Sequence, residues 1–199
     1  MMLPPLAGLL LSGGASRRMG RDKAALVYAG EPQLERAWRL LQGLGVEPCL
    51  LSVRADQTDE PLRARYPQVV DAPGVAGPMA GLLAAHRQAP MHAWLVLACD
   101  LPLLDLSVLE TLVAARGADG SAVAYAAEGD GRPEPLCAIY EPMFCREVLA
   151  PAAARGERSL RRCLEAGRVR TLSSPGGSLT SVDTEALRAH VVARLRGQA

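Results

Sequence analysis

A Gly-rich segment with four basic residues carries the side chains best suited to phosphate chemistry. It reads L-S-G-G-A-S-R-R-M-G-R-D-K at positions 11–23. The adjacent Gly13 and Gly14 let the backbone approach a ligand closely and present N–H groups to phosphate oxygens. Arg18 can bind phosphate as a bidentate fork, and Lys23 can bind it as a point charge. The segment lacks both the Gly-Lys-Ser/Thr of a P-loop and the G-x-G-x-x-G of dinucleotide-binding folds, so it predicts a nucleotide site of another kind.

A carboxylate follows the most apolar segment of the chain. Positions 93–98 read A-W-L-V-L-A, and Cys99, Asp100 and then Pro102 come after them. Aspartate is rarely buried unless it is paired or bound to a metal. Mg²⁺ is usually held by one or two carboxylates together with substrate phosphates. Asp100 therefore predicts a magnesium site, with the capping of a turn as the alternative.

The third cluster consists of Asp71 and the segment G-P-M-A-G-L at positions 77–82. It predicts a turn into a helix, because proline suits the first helical turn. Gly81 lowers helix stability relative to alanine, which would be explained by close approach of a ligand or by close packing of the helix on a strand. Asp71 stands six residues before Gly77, at the end of a short apolar run.

Strand-like and helix-like segments alternate along the chain, which predicts a mostly parallel sheet with helices on both faces. The expected fold is one three-layer α/β/α domain over residues 1–199, of the Rossmann-like type. The predicted strands cover 6–11, 48–53, 68–70, 93–98, 122–126, 135–140 and 169–172. The predicted helices cover 34–44, 78–87, 107–115 with Ser107 as the cap, 143–153, 159–166 and 184–195. Ligands of such sheets bind at the carboxyl ends of the strands, where the three polar clusters fall.

Composition and charge exclude several other classes of protein. The net charge is +1, so no general attraction to nucleic acid or to an anionic membrane is expected. The five cysteines include no C-x-x-C pair, which favours reduced thiols over a disulfide framework or a zinc ribbon. No signal peptide and no apolar run long enough to span a bilayer is found. The expected location is the cytoplasm.

The Gly-rich segment resembles the signature loop of the molybdenum cofactor nucleotidyltransferases, in which L-A-G-G-x-S-x-R-M-G-x-D-K is usual and only Ser12 departs. The C-D-x-P and G-P-x-A-G strings resemble that family as well. The resemblance implies a GT-A-like fold with a nucleotide half at about 6–105 and an acceptor half at about 106–199. It implies transfer of GMP from GTP to the terminal phosphate of molybdopterin, with Mg²⁺ on Asp100. The residues implied in catalysis are Arg18, Lys23 and Asp100, and those implied in nucleotide binding are Leu11, Ser12, Gly13, Gly14, Lys23, Ser52, Asp71, Gly81 and Asp100.

The acceptor half resembles the family less closely. Segments 134–140 and 156–161 are similar to the P-L-C-A-x-Y and G-x-R-S-L strings of guanylyltransferase members. This similarity implies that Arg158 and Ser159 bind the acceptor, although Ser159 could equally cap a helix. The two asparagines usual before the last helix are replaced, and Asp183 becomes a candidate for acceptor binding, for a second metal ligand or for a helix cap. Ser52 stands where guanylyltransferases often have asparagine.

Three other functions are compatible with the sequence. The same fold could use CTP, although the Gly13-Gly14 pair and the C-D-L-P string argue against it. The guanylyl acceptor could be another phosphate, or the chain could bind nucleotide without turnover. The expected partners are GTP and molybdenum-loaded molybdopterin, with transient contact to molybdenum-insertion proteins or apo-molybdoenzymes. The protein is expected to be a monomer or a weak oligomer.

Overall fold

The computed structural model describes residues 2–12 and 22–197, so Gly13, Gly14 and Arg18 lie outside the described residues. The described strands are β1 (Leu6–Leu11), β2 (Val27–Tyr28), β3 (Glu31–Pro32), β4 (Cys49–Val53), β5 (Gln68–Val70), β6 (Ala93–Ala98), β7 (Ala122–Ala126), β8 (Pro133–Tyr140) and β9 (Val169–Leu172). The described α-helices are α1 (Gln33–Gly43), α2 (Pro78–Gln88), α3 (Leu106–Ala114), α4 (Pro142–Phe144), α5 (Ala150–Ala154), α6 (Leu160–Ala166) and α7 (Glu185–Gly197). None of the helices described here is long and apolar enough to cross a membrane.

Seven strands form one sheet in the order β5-β4-β1-β6-β8-β7-β9. β1 pairs in parallel with β4 on one side and with β6 on the other. β8 runs antiparallel to both of its neighbours, and β9 pairs in parallel with β7. The predicted mostly parallel sheet is therefore confirmed.

Helices cover both faces of the sheet, because alternate side chains of each strand point to opposite faces. On β6, Trp94 and Val96 join the apolar cluster that includes the buried side chains of α2 and α6. Leu95 and Leu97 join the cluster on the other face, which includes α1 and α3. This arrangement confirms the three layers predicted from the sequence.

A two-stranded hairpin, β2–β3, was not predicted from the sequence. Its turn places Ala29 at φ 48° and Gly30 at φ 88°. Alanine seldom adopts a positive φ, so the pair gives a weaker hairpin signal than Asn-Gly would. Tyr28 of the hairpin packs with Val182 and with Val191 of α7, which links the C-terminal helix to the segment that follows Lys23.

Local signals fix the ends of several helices. The predicted cap at Ser107 is wrong, because Asp105 accepts the N–H of Val108 at 3.1 Å and starts α3 earlier. Ser159 caps α6 by accepting the N–H of Arg162. Thr184 accepts the N–H of Leu187 before α7. The single helix predicted over 143–153 is interrupted by a π-helical turn at Cys145–Leu149, between α4 and α5.

Gly81 allows α2 to lie directly on β1 and β4. A Cβ atom built at Gly81 would lie 2.8 Å from the Cβ of Ser52 and 3.1 Å from Cδ2 of Leu11, and closer still to Oγ of Ser52. Real Cβ atoms essentially never approach within 3.0 Å, so a larger residue would push α2 away from the sheet. Close helix–strand packing thus accounts for this glycine, and a ligand contact at Gly81 stays a prediction.

Gly81→Ala should lower stability in spite of the better helix propensity of alanine. The propensity gain is about 1 kcal/mol, whereas overpacking in a filled core costs about 1–3 kcal/mol. Gly43→Ala is the matched control, because a Cβ there would meet Leu106 at an ordinary 3.5 Å. Urea unfolding of both variants checks the prediction. Equal or higher stability of Gly81→Ala than of Gly43→Ala would contradict it.

Candidate functional site

The carboxyl ends of four parallel strands open onto one cavity of about 820 Å³. The strand register places Leu11 of β1 beside Ser52 of β4 and Ala98 of β6. The predicted site residues that line this cavity are Leu11, Ser12, Lys23, Ser52, Asp71, Asp100 and Asp183. The expectation that the polar clusters meet at this edge of the sheet is therefore confirmed for the described residues.

One part of the cavity is built around Asp71. Ser52 Oγ donates a hydrogen bond of 2.6 Å to Asp71 Oδ1. Burial raises the pKa of Asp71, and the hydrogen bond from Ser52 offsets this effect only in part. The loop that contains Gly74, Val75 and Gly77 forms the adjacent wall. A carboxylate accepts but does not donate when ionised, so this subsite suits a ligand edge with N–H donors.

Lys23 and Asp100 meet in the same cavity. Lys23 Nζ donates to Asp100 Oδ2 at 2.8 Å, and the two side chains are 21% and 18% exposed. Ser181 Oγ donates to the same oxygen at 2.7 Å. The backbone N–H of Val182 donates to the carbonyl of Asp100 at 3.1 Å. Two donors therefore hold one oxygen of this carboxylate in place.

The other carboxylate oxygen of Asp100 makes the residue suitable for a cation. Oδ1 is buried and has no hydrogen-bond partner among the described residues. No group of three or more His, Cys, Asp and Glu side chains that could hold a metal occurs in the described parts of the chain. A single carboxylate such as Asp100 fits Mg²⁺, because this ion takes one or two carboxylates from the protein and completes its ligands with phosphate and water. Asp183 lines the same cavity and could supply a further oxygen.

The thiol next to Asp100 is not a candidate nucleophile. Burial raises the pKa of Cys99 to about 12. Since the thiolate is the reactive form of cysteine, Cys99 is inert near neutral pH. All five cysteines of the chain are free, as the sequence predicts.

The structure does not bring the predicted acceptor residues Arg158 and Ser159 to the described lining of the cavity. Ser159 is engaged as the cap of α6. From β8, Leu136 lines the cavity instead. Nearby, Glu134 accepts the N–H of Leu136 and pairs with Arg161 at 3.2 Å.

Several polar residues at or near the site had not been assigned a role from the sequence, among them Arg54, Ser181, Arg63 and Asp22. Arg54 lines the cavity and pairs with Asp56. Ser181 binds Asp100, and the buried Arg63 binds Ser12 and Asp22. Arg54 and Arg63 belong to no recognisable motif. For Ser181, the available signal was its position in the segment that departs from the family pattern.

Comparisons with known proteins identify relatives of the chain. Residues 8–172 match the MobA-like NTP transferase domain. The chain is 39% identical over 139 residues to the molybdenum cofactor biosynthesis bifunctional protein of Synechocystis, a match that covers 70% of this chain and 40% of that protein. It is 35% identical over 164 residues to the molybdenum cofactor guanylyltransferase of Pseudomonas putida, covering 81% and 83% of the two chains.

A solved structure shares the fold. The crystal structure of molybdopterin-guanine dinucleotide biosynthesis protein A from Archaeoglobus fulgidus superimposes with a TM-score of 0.78 at 24% identity. The match covers 96% of this chain and 99% of that one. The match over residues 8–172 and the identity to the Pseudomonas putida protein establish that the chain belongs to the MobA-like NTP transferase family.

Proposed function

We propose that this protein transfers GMP from GTP to the terminal phosphate of molybdopterin and releases pyrophosphate. The supporting observation is that one cavity contains both the Lys23–Asp100 pair and the Ser52–Asp71 pair. The first pair suits a triphosphate with its cation, and the second suits a base with N–H donors. The names of the relatives, which are molybdenum cofactor guanylyltransferases, support the choice of substrates.

Guanine fits the Asp71 subsite better than the other bases do. Its Watson–Crick edge presents two adjacent donors, N1–H and the N2 amino group, to which one carboxylate can bind. Adenine and cytosine present a ring nitrogen with a lone pair at the corresponding position, which a carboxylate would repel. In this role Ser52 orients Asp71 by binding Oδ1.

Lys23 and Asp100 would then act at the phosphates. Nucleotidyl transfer depends mainly on positioning and on charge stabilisation. Lys23 supplies a positive charge that stabilises the negative charge developing on the pyrophosphate. Bound at Asp100, Mg²⁺ would supply further charge neutralisation at the phosphate oxygens. The attacking phosphate of molybdopterin is already anionic, so the site requires no general base.

The acceptor would enter from the side that carries Leu136, Ser181 and Asp183, which line the cavity beside Asp100. Asp183 is proposed to contact the acceptor or the metal, whereas roles for Arg158 and Ser159 would require contacts beyond the described cavity lining. The reaction would take place in the cytoplasm. The product would pass to molybdenum-insertion proteins or apo-molybdoenzymes.

Pyrophosphate release by the purified protein tests the proposed reaction. With Mg²⁺ and molybdate-loaded molybdopterin, we expect release with GTP and none with CTP. Release with CTP alone would keep the nucleotidyl transfer but overturn the base assignment. Absence of release with both nucleotides, beside an active control enzyme, would show that the acceptor is wrong or that the chain binds nucleotide without turnover.

Lys23→Ala and Asp100→Ala should each reduce kcat by about 10²–10³, the usual loss for one positioned transition-state contact. Glu110→Ala, at an exposed position of α3, is the control and should retain wild-type turnover. Steady-state pyrophosphate release at saturating GTP checks both losses. Near wild-type activity of Asp100→Ala at ordinary magnesium would refute the metal assignment.

The preference for GTP over ATP should weaken as the pH falls. Burial raises the pKa of Asp71, so the anion that accepts two N–H groups is present above that pKa and is lost as the pH drops through it. ATP has the same triphosphate, so the ratio of the two dissociation constants cancels the titration of the phosphates. We expect the ratio to fall as the pH drops through the pKa of Asp71, which lies above the ordinary value of an aspartate. Asp71→Asn should have a low ratio at every pH, and a pH-dependent ratio in this variant would contradict the assignment.

A further inference from the structure

Arg63 is a buried arginine that lies outside the described lining of the cavity and bonds two residues that belong to this lining. Its side chain is 1% exposed. Nε donates to Ser12 Oγ at 3.2 Å, and Nη2 donates to the Ser12 carbonyl at 3.0 Å. Nη2 and Nη1 also donate to the two oxygens of Asp22 at 3.0 and 2.6 Å, and Nη1 donates to Glu60 at 2.9 Å. These contacts use all five N–H donors of a guanidinium group.

The two main partners of Arg63, Ser12 and Asp22, are far from it in sequence and belong to the two ends of the Gly-rich segment. Ser12 directly precedes residues 13–21, and Asp22 directly follows them. The guanidinium thus ties the end of β1 to Asp22, which lines the cavity. Ser12 is fixed from a second side as well, because its Oγ donates to the carbonyl of Ser52 at 3.0 Å.

Asp22 also fixes the backbone at Lys23, the next residue in the chain. Its Oδ1 accepts the N–H of Ala24 at 3.1 Å and so caps the short 3₁₀ turn Lys23–Ala25. Lys23 leads that turn and extends Nζ to Asp100. The contacts therefore run without interruption from Arg63 through Asp22 and the turn to the lysine in the cavity.

Electrostatics support a positioning role for Arg63. A buried guanidinium is costly unless its charge and donors are satisfied, and here two carboxylates and two oxygens of Ser12 satisfy them. Burial alone would raise the pKa of Asp22, but the hydrogen bond and charge of Arg63, together with the N–H of Ala24 and the charge of Arg54, lower that pKa. The planar fork reaches Ser12 and Asp22 together, which the single ammonium of lysine cannot do.

We propose that Arg63 is a positioning residue that holds Ser12 and Asp22 together and thereby sets Lys23 for binding the triphosphate. The inference rests on the proposed function only in that the cavity binds a nucleoside triphosphate. It concerns the phosphate end, since Arg63 makes no bond to Asp71. Its partner Ser12 bonds only the main-chain carbonyl of Ser52 and not the hydroxyl that binds Asp71.

Binding measurements on Arg63→Lys test the proposal. The variant keeps the charge but loses the fork, and we expect the affinities for GTP, ATP and inorganic tripolyphosphate to fall together, on the order of tenfold, for the loss of one charged hydrogen-bond network. The ratio between GTP and ATP should stay unchanged, because it reports the Asp71 end of the cavity. Isothermal titration calorimetry with Mg²⁺ present measures all three ligands.

Arg116→Lys is the matched control. Arg116 is also a buried arginine, 6% exposed, and it pairs with Glu141 at 2.7 Å away from the cavity lining. The same exchange there should lower the unfolding temperature and leave tripolyphosphate binding unaltered. If Arg63→Lys does not fold, Asp22→Asn replaces it in the test. This variant removes the charge of the more exposed partner. We expect the affinities for GTP, ATP and tripolyphosphate to fall together in it as well.

Three results would overturn the proposal. They are an unchanged affinity of Arg63→Lys for tripolyphosphate, an equal loss in Arg116→Lys, and a collapse of the GTP-to-ATP ratio. If the wild type binds tripolyphosphate more tightly than Arg63→Lys does but releases no pyrophosphate, guanylyl transfer is refuted. The proposed role of Arg63 in binding would still be supported.

Discussion

The parallel pairing of β1 with both β4 and β6 is the constraint on which the site depends. It places Leu11, Ser52 and Ala98 in one row at the edge of the sheet. Each strand then delivers its next polar residue into the same cavity. Because β1 and β6 are buried on both faces, a shift in their register would move the whole apolar set as well, so core packing fixes the site geometry.

Several carboxylates line the cavity, and they would repel the triphosphate that is proposed to bind there. Each described carboxylate whose contacts are known has a donor that limits its repulsion of phosphate. Asp22 is bound by Arg63, Asp71 by Ser52, and Asp100 by Lys23 and Ser181. Oδ1 of Asp100 is buried without a hydrogen-bond partner among the described residues, and it is the oxygen to which the proposed cation would bind. The described carboxylates are thus held by donors and do not form a diffuse negative surface.

The sequence predicted the parts of this architecture that depend on local patterns. The strands predicted over 6–11, 68–70, 93–98, 122–126 and 169–172 have the bounds seen in the structure, because their short length and the turn residues beside them favour strand over helix. The β2–β3 hairpin was missed because its turn uses Ala29 at a positive φ. The Ser107 cap was wrong because Asp105, two residues earlier, competes for the same N–H groups. Arg63 could not be found from a pattern, since its partners are 41 and 51 residues away in sequence and only the fold brings them together.

The C-terminal segment shows why a departure from the family pattern need not disable the site. Ser181 and Asp183 stand in the region where asparagines are usual, and both line the cavity. The hydroxyl of Ser181 and the main chain of Val182 bind Asp100, and the second of these contacts does not depend on side-chain identity. Val182 also packs with Tyr28 and Val191, so α7 and the hairpin after Lys23 hold the segment against Asp100. The segment is therefore positioned by apolar packing and a main-chain hydrogen bond, so its polar side chains can vary while Asp100 stays in place.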